Sequence, residues 1–209
     1  MPRTGDVDTE TNRLLWTIGW NWVYLFIGSP IVGIAAGIAL DGVLGILGLL
    51  LFFIGPVVAI VGLVSVRSNY GSVLSSGTDT VKEVASDVAR LDGENVEQFT
   101  LLNDTGSSSI LLPAPKREVA TLLVSDSLLL VHDDAKVNLP GLSWSVGDST
   151  NEFYFDQITG VNFNPYDDAE GGEFWVNLSD EYGESWESET GAETALAAVQ
   201  DRIREYKAR

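Results

Sequence analysis

Four carboxylates crowd one short stretch, Asn164-Pro165-Tyr166-Asp167-Asp168-Ala169-Glu170-Gly171-Gly172-Glu173. Carboxylate oxygens on a glycine-bearing turn are the ligands that hard cations such as Ca²⁺ and Mg²⁺ take. Asp167, Asp168, Glu170 and Glu173 therefore form the candidate metal loop. Their spacing departs from that of an EF-hand. With 30 Asp+Glu against 12 Lys+Arg, such a cluster also arises from composition alone. No specific metal and no other cofactor is expected.

Other chemistry is scarce. His132 is the one histidine, between the apolar run Leu128–Val131 and Asp133-Asp134, a position that suits a strand end better than a catalyst. Cysteine is absent, which excludes disulfides, thiolate catalysis and thiolate metal sites. There is no G-x-S-x-G, no Walker loop and no dinucleotide fingerprint. Gly42, Gly45 and Gly48 are spaced like a glycine loop but lie in an apolar run. No catalytic residue is assigned, and an enzyme is not expected.

The charge is segregated. The formal net charge is -18, yet residues 14–66 hold a single charged side chain, Asp41. Residues 68–209 hold 26 acids and 9 bases. A domain so acidic repels phosphates, so nucleic acid is excluded as a partner. The acids are spread along the domain, and lysine is limited to Lys82, Lys116, Lys136 and Lys207. This composition resembles that of proteins from extreme halophiles, haloarchaea especially, where concentrated salt screens the self-repulsion.

The elements that hold these residues divide at about residue 66. The run Leu14–Val66 would reach roughly 80 Å as one helix, over twice a bilayer core, so it must fold back. Asp41-Gly42 is the turn signal. The expectation is a two-helix transmembrane hairpin over 14–66, with helices at Leu14–Leu40 and Val43–Val66, after an N-terminal tail, 1–13. Pro30 and Pro56 are expected to kink them. A cleaved signal peptide fits poorly, because the run is too long and acids precede it. Arg3, Arg13 and Arg67 flank the run and the turn has no base, which puts both termini and the soluble domain in the cytoplasm. Trp16, Trp20 and Tyr24 recur every four residues and are expected to form a membrane-interface belt, with Tyr70 as its counterpart. Gly33 and Gly37 make a G-x-x-x-G motif, expected to pack the hairpin helices or, failing that, to join copies of the chain.

Residues 67–95 are expected to be a Ser/Gly/Thr-rich linker leading into a short amphipathic helix from Thr80, with Asp92-Gly93 as its stop. Period-two patterns then predict strands at 97–102, 109–112, 119–125, 128–132, 152–156, 159–163, 173–178 and 184–188. A closing helix begins at the capping box Thr190-Gly191-Ala192-Glu193, with Leu196, Val199, Ile203 and Tyr206 on one stripe. Its bases Arg202, Arg204, Lys207 and Arg209 suit the helix dipole and offer a docking patch.

This order of elements resembles the bacterial-type pleckstrin-homology-like (PH-like) domains. The resemblance rests on the hairpin Thr121–Val131, on Phe155-Asp156-Gln157-Ile158-Thr159-Gly160-Val161, and on the closing hairpin and helix Gly172–Lys207. It implies a mostly antiparallel β barrel, residues 96–209, capped by the C-terminal helix. The basic residue often found after the hairpin aspartate is replaced by Ser127, so phosphoinositide binding is not expected. The function expected is a membrane-anchored interaction or scaffold module that organises a protein partner at the cytoplasmic face. The alternative is a self-assembling structural membrane subunit with a cytoplasmic cap.

Overall fold

A computed structural model describes residues 2–40, 42–89, 96–106, 111–167, 170–179 and 183–209. The chain starts on a sheet and not in a tail. Strand β1 (Arg3–Asp6) pairs antiparallel with residues 143–146, and Val7, 2% exposed, hydrogen-bonds through its N–H to the Leu142 carbonyl. The expected tail at 1–13 is thus corrected: residues 3–6 add a strand to an open sheet edge.

Helix α1 (Arg13–Trp20) is capped by Asn12, whose side chain accepts from the Leu14 and Leu15 N–H groups. It ends at Asn21, whose amide donates to the Thr17 carbonyl. A π-helical turn (Tyr24–Gly28) and helix α2 (Ser29–Ala39) follow, bent 74° from α1. The single helix expected over Leu14–Leu40 is therefore broken. Pro30 lies in the first turn of α2, and the bend lies upstream at Asn21. Pro30 has no N–H for the Phe26 carbonyl, and its ring crowds that group, so the turn before it widens.

Gly42 turns the chain with φ +66°, a conformation that favours glycine. Helix α3 (Val43–Ala89) then runs for 47 residues, about 70 Å. It packs antiparallel along α1 and α2, with Gly62 against Gly19, Gly48 against Gly33, and Gly45 and Leu49 against Gly37. Among the described residues one helix is long and apolar enough to cross a membrane, or two if the bent pair counts as one span.

α3 does not stop at Val66, so the linker at 67–95 is corrected. Several of its hydroxyl and amide groups are satisfied inside the helix. Ser68, Asn69, Thr80 and Ser86 each donate to the carbonyl four residues back. Thr80, the expected cap, sits in mid-helix. The expected stop at Asp92-Gly93 falls outside the described residues. A buried stripe of Val66, Val73, Gly77, Val81 and Ala85 carries the helix onto the β domain.

The rest is mostly antiparallel sheet with a C-terminal helix, as expected. The strands are β2 (Glu97–Thr105), β3 (Lys116–Val124), β4 (Leu128–His132), β5 (Ala135–Asn138), β6 (Ser143–Val146), β7 (Asn151–Tyr154), β8 (Ile158–Pro165), β9 (Gly172–Leu178) and β10 (Glu184–Ser188). One sheet runs β1-β6-β5-β3-β4-β7, with β2 also on β3; the other runs β10-β9-β8. β4 and β5 both lie along β3, and the register slips by one residue at Asp133-Asp134. The sheets meet where Leu102 exchanges hydrogen bonds with Glu189 and Thr190. That contact takes the backbone of Thr190, so helix α4 (Ala192–Lys207) is preceded by Gly191 at φ +95° with no side-chain cap. The expected capping box is corrected accordingly. The strand expected at 109–112 is also corrected: Leu111 and Leu112 lie in a bend, and 109–110 are outside the described residues.

The large sheet is buried on both faces. One face, with Leu122, Val124, Leu129 and Val131, packs on Phe155, Phe174, Val176, Ala195 and Val199. The other, with Val119, Ala135, Val137 and Val146, packs on α3 and on Trp16.

Candidate functional site

The features that organise the molecule converge where the helices meet the large sheet. Trp16 is fully buried there, and its indole N–H donates to the Leu139 carbonyl at 2.7 Å. Gly77 brings α3 close, since a Cβ at that position would lie 2.8 Å from Val137 Cγ1. Arg67 Nε donates to the Leu111 carbonyl at 3.0 Å, and Tyr70 Oη to the Ala114 carbonyl at 3.2 Å.

Arg117 ties four elements together. Its guanidinium pairs with Asp104 of β2, with Glu189 after β10 at 2.8 Å, and donates to Tyr70 Oη of α3 at 3.3 Å. The side chain is 13% exposed. Arg117→Met keeps the volume but leaves Asp104 and Glu189 facing each other without a cation. The expected loss is about 1.5–3 kcal/mol, the range for hydrogen bonds to charged groups. Chemical unfolding of the full chain in molar salt measures it.

His132 ends β4, as its flanks suggested, and is fully buried. Nε2 donates to the Gly147 carbonyl at 3.0 Å. Nδ1 and the hydroxyl of Thr121, its cross-strand neighbour, have no partner among the described residues.

The residues singled out from the sequence separate in space. In the acidic loop, Asp168 lies outside the described residues. Asp167 and Glu170 are exposed, and Glu173 accepts a hydrogen bond from Trp175 Nε1 at 2.8 Å. No group of three or more acidic or histidine side chains gathers to hold a metal among the described residues. Burial, with Glu187 and Glu173 nearby, pushes the Tyr166 phenol above its ordinary pKa.

Trp16 faces the protein interior and is not available to a belt. Trp20 meets it edge to face at 6.1 Å and is half-buried, whereas Tyr24 is 77% exposed. Only Tyr24 of the three points outward fully, because the bend at Asn21 turns α1 onto the sheet. Gly33 and Gly37 face α3 of the same chain.

The C-terminal bases serve inside the domain. Arg202 bonds Glu97 at 2.7 Å, and the Glu97 carboxylate raises its pKa further, against desolvation and with help from Glu205 and Asp126. Lys207 donates to the Ile158 carbonyl, and Arg204 pairs with Asp201. Lys116 and Lys136 line a cleft of about 440 Å³ on the large sheet, where Lys136 is paired with Glu118.

Sequence reading missed the helix–sheet junction. The available signal was the recurrence of Val66, Val73, Val81 and Ala85 at helical spacing beneath the serines.

No protein-family description matches the chain, and no curated protein resembles it significantly in sequence. Solved structures similar to it include the C-terminal domain of an unknown protein from Leishmania infantum, at 10% identity and TM-score 0.40, covering 58% of this chain and 95% of that one. The Vps36 N-terminal PH domain is similar at 12% identity and TM-score 0.32, covering 56% and 85%. A complex of PDZ-RhoGEF DH/PH domains with GTP-gamma-S activated RhoA is similar at 8% identity and TM-score 0.32, covering 90% of this chain and 54% of that one.

Proposed function

We propose that this chain is a membrane-anchored, non-enzymatic interaction module. Helices α1–α2 and α3 enter the bilayer as a broken hairpin. They hold a PH-like domain against the cytoplasmic face, where it recruits or organises a protein partner. One observation carries the membrane half of this reading. Apart from Tyr154 and Tyr166, every large exposed apolar side chain among the described residues lies between Leu14 and Val64. Ile38 is 83% exposed, Val43 72%, Phe53 65% and Ile31 63%. In water that surface would far exceed the few hundred Å² of contiguous apolar patch normal for a soluble monomer. In lipid it carries no such cost, and each helix satisfies its own backbone.

The PH-like reading is supported by the two antiparallel sheets that meet at Leu102 and by α4, whose Ala192, Ala195 and Val199 close the inner core. The interaction half is supported by the sparse chemistry of the described residues and by a domain built into its anchor. The self-assembling alternative gains nothing from Gly33 and Gly37, which contact α3 within the chain.

Side and partner are tested together. Gln157 is exposed on the β domain of this Cys-free chain. A Gln157→Cys variant is expected to resist an impermeant maleimide in intact cells and to react within minutes after lysis. Labelling without lysis overturns the cytoplasmic assignment. Affinity purification from membranes solubilised in molar salt is expected to retain one protein in stoichiometric amount. Recovery of the chain alone overturns the adaptor role.

A further inference from the structure

A groove of about 540 Å³ lies between the end of β8 and the start of α4. Phe163, Pro165 and Tyr166 line it from β8 and the turn that follows. Glu189, Gly191 and Glu193 line it from the β10–α4 connection and the first turn of α4. The Tyr166 N–H closes its turn on the Gly171 carbonyl at 3.0 Å, and the ring is 39% exposed.

The charge in the groove is of one sign, since no base lines it among the described residues. Glu189 is taken by Arg117, so its charge is offset. Glu193 is exposed and makes no hydrogen bond or ion pair among the described residues. Glu187 and Glu173 stand close enough to Tyr166 to add to the burial that raises its pKa. The N-terminus of α4 alone would favour an anion, but Glu193 in its first turn offsets the dipole. A phenol ring that shares a groove with an unpaired carboxylate suits an ammonium or guanidinium, which gains from the ring face and from the charge together.

The place of the groove narrows the source of that cation. Glu189 is joined through Arg117 to Tyr70 of α3. Tyr70 follows Val64, where the exposed apolar surface of α3 ends, by six residues, about 9 Å along the helix. In a membrane-anchored chain the groove then opens close to the cytoplasmic surface of the bilayer, where membrane proteins carry their excess of lysine and arginine. This chain's own bases at that level are engaged: Arg13 pairs with Asp6, and Arg67 Nε bonds the Leu111 carbonyl. A second copy is therefore a poor occupant.

We infer that the groove docks the basic juxtamembrane segment of a different membrane protein, with a lysine or arginine side chain over Tyr166 and its charge on Glu193. The inference rests on the membrane-anchored interaction reading above and names the chemistry of the partner. Direct pairing of this kind persists in molar salt, whereas the general attraction of an acidic domain for cations is screened within about 3 Å.

The test places the full chain, carrying a donor dye at Gln157→Cys, in phosphatidylcholine liposomes in molar potassium chloride. A synthetic transmembrane helix of leucine and alanine, labelled with an acceptor dye, is added to the same liposomes. It ends in four arginines or, as the control, in four serines. Resonance energy transfer reads association, and transfer to the arginine helix is expected to exceed transfer to the serine helix. Glu193→Lys is expected to weaken association roughly fivefold, the upper end for an exposed ion pair, and Tyr166→Leu roughly threefold. Glu152→Lys makes the same charge change at an exposed position on β7 and is expected to alter association by less than about twofold, because distant charges are screened. Equal transfer to the two helices, no greater loss from Glu193→Lys than from Glu152→Lys, or no loss from Tyr166→Leu overturns the docking site. None of these outcomes touches the adaptor role, which fails when the affinity purification returns the chain alone. A chain that does not rise with the liposomes in a flotation gradient overturns the membrane reading and the site with it.

Discussion

Trp16→Ala is expected to destabilise the chain by about 3–5 kcal/mol, the range for emptying a fully buried large aromatic site. The side chain is completely inaccessible, packs among Val66, Leu139 and Leu142, and donates its indole N–H to the Leu139 carbonyl. Its loss opens a cavity at the seam between α1 and the large sheet and removes one of two donors to that carbonyl, which keeps the Leu142 N–H. Trp16→Phe separates the two effects. It retains most of the ring volume and is expected to cost about 0.5–1.5 kcal/mol, the net worth of one hydrogen bond. Both values come from chemical unfolding of the solubilised full chain in molar salt, followed by circular dichroism. Tyr24→Ala is the internal contrast, because Tyr24 is 77% exposed and its removal is expected to change stability by less than about 0.5 kcal/mol. A Trp16→Ala loss as small as that of Tyr24→Ala would place Trp16 outside the core.

That contrast shows what periodicity can and cannot deliver. Trp16, Trp20 and Tyr24 share a spacing of four, which puts them on one face only while the helix stays straight. Asn21 turns its amide onto the Thr17 carbonyl, the helix bends by 74°, and the common face is divided between sheet and surroundings. The β3–β4 pairing, by contrast, was legible because Leu122-Leu123-Val124 and Leu128-Leu129-Leu130-Val131 flank a three-residue turn. Strands β5 and β6 were not. Each is four residues long, and Ala135-Lys136-Val137-Asn138 and Ser143-Trp144-Ser145-Val146 alternate too briefly to stand out beside the Pro and Gly between them. β1 was hidden for another reason. Arg3–Asp6 has little apolar character, and its strand form depends on an edge supplied by residues 143–146. The G-x-x-x-G contact was readable because it is local chemistry: glycine permits close approach wherever it lies. The acidic loop illustrates the opposite limit, since proximity in sequence did not gather three of its carboxylates among the described residues.

The serine-rich segment after Val66 is where sequence and structure diverge most, and it yields the second large effect. Ser75 lies at the middle of what composition suggests is a tether, and it is an exposed residue of α3. Ser75→Pro is expected to destabilise the chain by about 3 kcal/mol or more, because proline removes the N–H that serves the Gly71 carbonyl and its ring clashes with that group. Ser75→Ala is expected to be neutral or stabilising by a few tenths of a kcal/mol, since alanine is the better helix former. A flexible linker would tolerate both changes equally, so equal stabilities of the two variants would return the segment to a tether. The consequence reaches past stability. One helix carries both the exposed apolar surface around Phe53 and Ile60 and the buried stripe Val73, Val81 and Ala85 on the sheet. A rotation of its apolar end therefore has to rotate the stripe or break the helix, and the Arg117 network through Tyr70 joins that motion to β2 and to the start of α4. Ser75→Pro would separate the apolar end, which keeps Tyr70 and its link to Arg117, from Val81 and Ala85 on the sheet. The measurable sign is two unfolding transitions where the wild type shows one.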